Sequence, residues 1–249
     1  MRNIKLTIEY DGSRYSGWQR LGKGESTNTI ENKLLEIIKK MTGETLELFC
    51  GARTEVGVHA YAQIANFKTH SNLKLYEMKN YFNRYLPMDI AIIDIEEMTE
   101  RFHSSLNAKS KKYLYRIAIG DVPSVFDRKY TYYSFAKLDI KLMQNASEQL
   151  LGKHNFKAFT TAKKCKSTEK EIYSIQIEHN EKEIHIIIHA NDFLHNMARM
   201  IVAYLMEAGA GKLNTSSIND LICGKVSEAS VLPAEASGLF LLEIQYETI

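Results

Sequence analysis

The chain begins with apolar and polar residues in strict alternation. Over residues 3–10 every second side chain is apolar, and a period of two is typical of a strand with one buried face. Asp11-Gly12 then supplies residues that favour a turn. The period changes at residues 30–41, where apolar side chains recur at helical spacing after the N-cap candidates of residues 26–29 and ahead of Gly43. The sequence therefore predicts a strand, a loop and a helix that ends at a glycine.

The same patterns predict elements along the rest of the chain. The predicted strands cover residues 44–50, 61–68, 90–95, 112–119, 171–178, 183–190 and 238–246, and the further predicted helices cover 75–86, 140–151, 193–208 and 216–223. The first part is thus ordered strand, helix, strand, strand, helix, strand, which is the split βαβ order of ferredoxin-like folds. The second part has a similar order of elements without sequence similarity to the first.

These elements predict an α+β fold of two ferredoxin-like halves with antiparallel sheets flanking a central cleft. Residues 1–105 form the predicted N-terminal half and residues 106–249 the C-terminal half. Two such halves would most economically share one sheet or pack side by side. A cleft between two such halves is where a binding site is expected.

Composition adds the expectation of a cytoplasmic protein without a membrane anchor. Of 249 residues, 45% are hydrophobic and 25% are charged, which is the balance of an ordinary globular protein. The first residues are too polar for a signal peptide, and no apolar run reaches membrane-spanning length. The three cysteines, Cys50, Cys165 and Cys223, form neither a disulfide framework nor a CxxC pair. We therefore expect a reducing compartment.

The net charge is too small to indicate a nucleic-acid partner by itself. The formal charge is +2, whereas nucleic-acid-binding domains usually carry a stronger basic footprint. Lysines are concentrated in residues 157–170, a polar stretch that we interpret as a mobile basic loop. An argument for RNA must therefore rest on local clusters.

One short motif, GARTEVGVHA at residues 51–60, combines an arginine, a glutamate and a histidine. Arg53 and Glu55 share a face if the chain is extended, and an arginine neighbour keeps a carboxylate ionised. A solvent-exposed ion pair explains the same spacing, and spacing alone favours that simpler interpretation. His59 is by itself more often a hydrogen-bonded structural histidine than a proton shuttle.

A second motif, KSKKYLYR at residues 109–116, alternates basic and aromatic residues. On a strand, Tyr113 and Tyr115 share one face, while Lys112 and Leu114 share the other. Aromatic faces beside cations suit base stacking and phosphate contact. A core tyrosine pair with solvated lysines fits the pattern equally well.

A third motif, HANDFLHNMARM at residues 189–200, places His195 and Arg199 on one helical face. With His185 and His189 they raise the question of a metal site, but the spacing is not specific and no cysteine or paired carboxylate accompanies it. Arg199 lies on an otherwise apolar helix, and a buried arginine requires an anionic partner. Glu55 is a candidate for that partner.

Together with two further motifs, these segments resemble the tRNA pseudouridine synthase A family over nearly the whole chain. The five ordered motifs are IEYDGSRYSGWQR at residues 8–20, FCGARTEVGVHA at 49–60, RYLPMDIAI at 84–92 with RFHSSLNAKSKKYLYRI at 101–117, NDFLHNMARMIV at 191–202, and PAEASGLFLLEIQY at 233–246. The ordered set is far more specific than any one of its members.

The resemblance implies a pseudouridine synthase fold of two RRM-like α+β halves. It also implies the isomerisation of uridine to pseudouridine by base flipping and carboxylate catalysis, without a cofactor or metal. The family motif reads RTDxGVHA, its aspartate is the essential carboxylate, and Glu55 stands at that position. Carried over by position, Arg53 opens the RNA and takes the place of the flipped uridine, and Tyr113 stacks on the flipped base. Arg199 pairs with the carboxylate, which must reach either the sugar C1′ or the base.

The resemblance also implies partners. The implied substrate is tRNA, modified on the 3′ side of the anticodon stem and loop, and the implied working form is a homodimer. The residues predicted to contact RNA are Arg14, Arg20, His59, Lys109, Lys111 and Lys112. Together with the loop at residues 157–170 they would have to gather on one face.

The glutamate at position 55 leaves several interpretations open. Its side chain is one methylene longer than that of aspartate, which moves the carboxylate by on the order of 1 Å. A displacement of that size can cost about 100-fold in rate. The chain is then a slower or re-shaped synthase, a catalytically impaired tRNA-binding paralogue, or an ordinary enzyme whose backbone has adjusted. We favour retained synthase activity, because the arginines and Tyr113 accompany Glu55. A phosphoester hydrolase using Glu55, His59 and the histidines around His189 would be metal-dependent.

Overall fold

The computed structural model describes residues 1–19, 26–165, 167–213, 218–223 and 231–247. The chain divides into two compact units, of which the first is Met1–Lys109 with Phe240–Ile249 and the second is Ser110–Leu239. The division after Lys109 lies close to the predicted boundary after residue 105. The last strand differs from the prediction, because nearly all of it belongs to the first unit rather than to the second.

The elements are as follows in chain order. The strands are β1 (Arg2–Tyr10), β2 (Phe49–Cys50), β3 (His59–Thr69), β4 (Ile90–Met98), β5 (Ala108–Ala118), β6 (Tyr132–Tyr133), β7 (Gly152–Asn155), β8 (Glu169–His179), β9 (Glu183–Ala190) and β10 (Leu239–Tyr246). The helices are α1 (Ile30–Thr42), α2 (Leu75–Tyr85), α3 (Ile140–Glu148), α4 (Met197–Gly209) and α5 (Ile218–Ile222). Within the described ranges, each helix falls short of the length and apolar character needed to cross a membrane.

The sheet of the first unit is built around β1. Strands β3 and β4 run antiparallel on its two sides, so that Leu6 lies opposite Ala65 and Ile95. The predicted alternation is confirmed, because Ile4, Leu6 and Ile8 are each 0% exposed. Strand β2 pairs with β3 antiparallel, whereas β10 runs parallel to β3.

Helix α1 has the two ends that the sequence predicts. Thr29 is the N-cap, and its hydroxyl oxygen accepts a hydrogen bond from the Asn32 N–H at 3.3 Å. Gly43 ends the helix with a φ of 76°, a left-handed conformation that glycine adopts without steric cost. The buried side chains of the helix are Ile30, Leu34, Ile37 and Ile38.

The sheet of the second unit is built around β9. This strand is antiparallel to both β5 and β8, and β7 extends the sheet beyond β8. Strand β6 pairs with β5 in the parallel sense. The alternate residues Ile184, Ile186 and Ile188 of β9 are buried, and α3 packs against α4 in the same unit.

Both units combine helices with a sheet, which confirms the α+β class. The sheets are mixed rather than antiparallel as predicted, because β3 pairs with β10 and β5 with β6 in the parallel sense. Residues 70–238 separate β3 from β10, and residues 119–131 separate β5 from β6, so each connection is long enough for the crossover that parallel pairing requires. The RRM-like character of each half stays a prediction.

Several elements differ in extent from the prediction. Only Phe49–Cys50 of the strand predicted at residues 44–50 is a strand. The helix predicted from residue 193 begins at Met197, because Asn196 has a left-handed backbone with a φ of 61°. The segment predicted as a basic loop begins in the 3-10 turn Phe156–Phe159 and ends in β8, and its Lys166 lies outside the described residues.

The loop after β1 touches the start of β3 at Gly12, and this contact generates a stability prediction. A Cβ on Gly12 would lie 2.0 Å from the Val58 carbonyl oxygen and 2.7 Å from its carbonyl carbon. Backbone atoms cannot swing aside as the end of a side chain does, so we expect Gly12→Ala to lower the free energy of unfolding by about 3 kcal/mol or more. Urea denaturation measures this loss.

Gly43→Ala is the matched control. Its φ of 76° strains an alanine, but nothing lies within 4 Å of the added Cβ, so the expected loss is about 1 kcal/mol. Equal losses for the two variants would contradict the steric explanation at Gly12.

Candidate active site

Glu55 lies at the start of a tight turn that leads into β3. The Val58 N–H donates to the Glu55 carbonyl oxygen at 3.2 Å, which closes a four-residue turn. Gly57, at its third position, has a φ of 78°, the sign that a type II turn requires there. Val56 is at the tip and is 64% exposed. The turn therefore holds the backbone of Glu55 at a defined position beside the strand.

Thr54 anchors the backbone immediately before Glu55. Its buried Oγ1 shares a 2.8 Å hydrogen bond with the Tyr10 hydroxyl, and its carbonyl oxygen accepts from the Trp18 N–H at 3.0 Å. Both partners belong to the first of the five motifs. That motif therefore supports the turn from one side.

Gln63 of β3 anchors the same segment from the other side. Its Nε2 donates to the Ala52 carbonyl at 2.6 Å, and its Oε1 accepts from the Ala52 N–H at 3.2 Å. Burial raises the pKa of the Tyr10 hydroxyl, which the hydrogen bonds with Thr54 and Gln63 only partly offset. The charge of Glu55 is among the smaller causes that raise this pKa further. Tyr10 is therefore a neutral hydroxyl that completes a buried network around the turn.

Arg53 projects outward from this segment. It is exposed, Thr54 is buried and Glu55 is half-buried, which is the alternation expected of an extended backbone. Arg53 also acts on Glu31 in the first turn of α1. Burial raises the pKa of the Glu31 carboxyl, and the positive charge of Arg53 offsets only part of that rise. The environment of Arg53 therefore includes the Glu31 carboxylate.

His59 is packed inside the first unit and is 1% exposed. Its Nδ1 accepts from the Gly12 N–H at 3.1 Å and lies 3.2 Å from Asp11 Oδ1. One nitrogen cannot accept from Gly12 and donate to Asp11 at once, so the two contacts belong to different tautomers or protonation states of the ring. The ring stacks on Phe240, whose ring also stacks on Tyr61, at centroid distances of 4.7 and 5.0 Å. These contacts fit a structural histidine, and RNA contact by His59 stays a prediction.

In the second unit, Tyr113 lies on β5 with its ring 7% exposed. The ring meets Phe193 edge to face, with centroids 4.9 Å apart and an interplanar angle of 80°. Tyr115 is 0% exposed, and its hydroxyl donates to the Glu235 carbonyl at 2.9 Å. Both tyrosines are therefore buried, as the core interpretation predicts, and base stacking by Tyr113, which lies against the loop that precedes α4, stays a prediction.

Asp192, which lies in that loop, forms ion pairs with two lysines. Its Oδ1 accepts from Lys111 Nζ at 2.5 Å and its Oδ2 from Lys170 Nζ at 2.8 Å. Burial alone would raise the pKa of Asp192, but the two ammonium groups outweigh it and lower the pKa. The two lysine side chains are only 14% and 15% exposed. Lys111 is thus held by a carboxylate one residue before Phe193, and its neighbour Lys112 is half-buried on β5.

Arg199 is fixed by two acceptors within the second unit. Its Nε donates to the Ala234 carbonyl at 2.5 Å, and its Nη1 donates to Asn196 Oδ1 at 3.0 Å. The Ala234 N–H in turn donates to the Arg199 carbonyl at 3.1 Å. The fourth and fifth motifs are therefore joined at this side chain. Pairing of Arg199 with Glu55 stays a prediction.

The other cations predicted to contact RNA differ in their surroundings. Arg14 Nη2 lies 2.7 Å from Asp89 Oδ2, with the arginine side chain 69% exposed. Lys109 Nζ lies 2.7 Å from Glu247 Oε1, and both side chains are exposed. Arg20 lies outside the described residues.

The histidines of the second unit are not arranged around a common point. His185 Nε2 lies 2.7 Å from Glu183 Oε2, and His189 Nε2 lies 2.9 Å from Ser110 Oγ. Residues four apart on a strand are separated by about 13 Å, too far to share one ion. Among the described residues, no group of three or more His, Cys, Asp or Glu is placed to hold a metal ion.

Sequence reasoning missed the residues that hold the candidate side chains in place. Gln63 offered a signal, because it is a polar residue in a strand whose neighbours Ile64 and Ala65 are buried. Asp192 offered none, since its lysine partners lie 81 and 22 residues away in the chain. Asn196 offered none either, because it lies inside the helix predicted from residue 193, where periodicity gives no sign of a side-chain bridge.

Comparison with known proteins links these residues to one family. A family model described as tRNA pseudouridine synthase matches residues 6–105 and 146–247. A protein of Bacillus cereus named tRNA pseudouridine synthase A 2 is 42% identical over 247 residues, 99% of this chain and 100% of that protein. The tRNA pseudouridine synthase A of Acetivibrio thermocellus is 38% identical over 247 residues, again 99% of this chain and 100% of that protein. Arg53, Glu55 and Arg199 fall within the matched ranges, and Tyr113 falls between them.

The solved structures that match are distant. The structure titled "Structure of H/ACA RNP bound to a substrate RNA containing 2'-deoxyuridine" aligns with a TM-score of 0.39 at 11% identity, covering 82% of this chain and 43% of that chain. A likeness at this level carries no argument about the site.

The Asp192 ion pairs generate a prediction with a pH dependence. We expect Asp192→Asn to lower the free energy of unfolding by about 1 kcal/mol at neutral pH, a modest value because the Asp192 side chain is 41% exposed. The folded-state pKa is lowered, so this stabilisation is present above the ordinary carboxyl pKa and is lost as the pH falls through the lowered pKa. The difference between wild type and variant should therefore shrink below about pH 4. Urea denaturation at several pH values measures it.

Glu169→Gln is the matched control for this experiment. It removes an exposed pair with Lys153, in which the charged atoms are 3.6 Å apart and the side chains are 66% and 64% exposed. We expect no measurable loss of stability. An Asp192→Asn protein as stable as wild type at neutral pH would contradict the role given to the Asp192 pairs.

Proposed function

The chain belongs to the tRNA pseudouridine synthase family, and on that premise we propose that Glu55 is the carboxylate with which it isomerises uridine to pseudouridine in tRNA. Membership makes the chain an isomerase. The observation that carries the assignment is the held turn, in which buried hydrogen bonds from Tyr10 and Gln63 fix the residues before Glu55. A surface ion pair requires no such support. The buried network therefore favours a functional carboxylate over a solvated one.

The reaction is an isomerisation in which atoms and electrons balance within the nucleotide. The bond between C1′ and N1 of uridine breaks, the base rotates, and a bond between C1′ and C5 forms. N1 gains a proton and C5 loses one, so the conversion requires no oxidant and no second substrate. A carboxylate serves it by acting at C1′ or at the base, and an arginine partner favours the anionic form that this role requires.

Three further residues take the supporting roles that the resemblance assigns to them. Arg53 enters the RNA where the uridine leaves, Tyr113 stacks on the flipped base, and Arg199 pairs with the carboxylate. Flipping costs about a few kcal/mol of lost stacking, which an aromatic face offsets in part. The contact of Phe193 with Tyr113 and the two hydrogen bonds of Arg199 support these assignments, because both side chains are held in one orientation.

We infer the remaining properties from the same resemblance. The target lies on the 3′ side of the anticodon stem and loop, the working form is a homodimer, and the location is the cytoplasm. Phosphate contacts come from exposed cations, among them Arg14 and Lys109, and from lysines of residues 157–170. Contacts of this kind fix the register of the RNA and make its binding dependent on salt.

Removal of the Glu55 charge tests the catalytic assignment. We expect Glu55→Gln to lower the single-turnover rate of pseudouridine formation by about 1,000-fold or more, because the amide keeps the volume but not the anion. Release of tritium from tRNA that carries 5-tritiated uridine measures the rate. The affinity of Glu55→Gln for tRNA should equal that of wild type, which separates catalysis from binding.

Glu55→Asp tests the length of the side chain that carries the carboxylate. We expect the wild type to be active and Glu55→Asp to change the rate by up to about 100-fold, because one methylene moves the carboxylate. Silence of the wild type together with activity of Glu55→Asp would contradict the proposal. Silence of both proteins with intact tRNA binding would identify a binding protein without catalysis. Cleavage of tRNA that stops on addition of EDTA would identify the metal-dependent hydrolase.

The stacking role of Tyr113 generates a separate prediction. Tyr113→Phe keeps the aromatic face and should retain the rate within about threefold, whereas Tyr113→Leu should lower it by about 10-fold to 100-fold, the range expected for loss of one stacked base. Tyr173→Leu is the matched control, since Tyr173 is a 46% exposed tyrosine of the same unit. A Tyr113→Leu protein that is stably folded and as fast as wild type would refute the role.

A further inference from the structure

The residue before α4, Asn196, has an unusual backbone. Its φ is 61°, and among the described residues it is the one non-glycine with a positive φ. Asparagine tolerates this left-handed conformation better than most residues. Such conformations persist where surrounding contacts enforce them, and they cluster at functional sites. The contacts of its side chain show what enforces this one.

Asparagine is among the best N-cap residues, because its side chain usually accepts a hydrogen bond from the first turn of the helix. Asn196 is the N-cap of α4, yet its side chain does not cap the helix. Its Oδ1 instead accepts from Arg199 Nη1 at 3.0 Å, and its Nδ2 donates to Thr161 Oγ1 at 2.7 Å. A guanidinium has donors but no acceptor, so the oxygen must face Arg199 and the nitrogen must face Thr161.

Asn196 thus bridges Thr161 and Arg199. A further hydrogen bond, from the residue next to Thr161, holds the threonine end of this bridge. Thr160 Oγ1 donates to the carbonyl oxygen of His195 at 2.8 Å, so two adjacent threonines hold two adjacent residues of the turn before α4. Both threonines belong to the lysine-rich segment at residues 157–170. The bridge thus runs from that segment through one amide to Arg199.

We propose that Asn196 is a positioning residue for Arg199, which it holds against the Ala234 carbonyl through an amide oriented by Thr161. The proposal rests on the proposed function, in which Arg199 supports the reacting carboxylate. Two of the five guanidinium N–H groups are engaged by Asn196 and Ala234. The other three are the donors that the role of Arg199 requires, and their direction follows from the first two. Asn196 therefore acts on the rate of the reaction rather than on the affinity for tRNA.

Two substitutions separate the backbone of Asn196 from its side chain. Asn196→Gly keeps the positive φ and removes the acceptor, so we expect kcat to fall about 10-fold while KM for tRNA stays within about twofold. Asn196→Asp keeps a side-chain oxygen at the position of the Oδ1 that faces Arg199. It should therefore retain kcat within about threefold. This pattern of loss and rescue is not expected if Asn196 only shapes the start of the helix.

Asn180→Gly is the matched control, because Asn180 also uses its Oδ1 in a turn of the same unit, where it accepts from the N–H groups of Lys182 and Glu183 at 2.8 and 2.9 Å. It should leave both kcat and KM unchanged. A fall of kcat in Asn180→Gly equal to that in Asn196→Gly would overturn the specific role of Asn196.

A second measurement does not depend on activity. The Nε–H signal of Arg199 in a protein labelled with 15N-arginine, assigned through Arg199→Lys, reports whether the guanidinium is held. We expect a signal protected from exchange with water in wild type and in Asn196→Asp, and an exchange-broadened signal in Asn196→Gly. Protection unchanged in Asn196→Gly, or a kcat equal to wild type in that variant, would overturn the proposal. If the wild type forms no pseudouridine, the proposed function fails, while this signal still decides whether Asn196 holds Arg199.

Discussion

The first unit depends on the burial of one amide, the side chain of Gln63. Gln63 is 0% exposed, so its donors and acceptor must be satisfied by protein. It satisfies them on both backbone groups of Ala52 and on the Tyr10 hydroxyl. An apolar residue in its place would leave those groups buried without partners, at about 1–3 kcal/mol for each. The extended path that delivers Glu55 to its turn is therefore specified from a strand that follows it in the chain.

The second unit orients its candidate residues by a different device, a short loop fixed at both ends. At one end Asp192 binds a lysine of β5 and a lysine of β8, the two strands that flank β9, and at the other end Asn196 joins Thr161 to Arg199. Phe193 lies between these ends and meets the ring of Tyr113. One short loop thus sets both an aromatic ring and a guanidinium.

The sequence predicted the parts whose cause is local. The alternation of β1 and the two ends of α1 follow from periodicity and capping, and both are confirmed by burial and hydrogen bonds. The start of α4 was placed too early, because a left-handed Asn196 interrupts an apolar pattern that helix periodicity alone would continue. The parallel pairing of β10 with β3 was missed, since register between distant strands leaves no periodic signal. The motif residues were found by spacing and resemblance, whereas the residues that orient them act across long separations in sequence.

The ion pairs also indicate how readily each cation can leave its carboxylate partner and bind an RNA phosphate. Lys109 and Glu247 are 55% and 74% exposed, so their pair is worth about 0 to 1 kcal/mol and an RNA phosphate can replace the carboxylate. Arg14 is similarly exposed, and Asp89 would keep its 2.5 Å hydrogen bond from the Tyr15 hydroxyl if the arginine left. Lys111 differs, because its departure would deprive the partly buried Asp192 of a partner and loosen the loop that carries Phe193. In the proposed complex with tRNA, phosphate contact is therefore better suited to Arg14 and Lys109 than to Lys111.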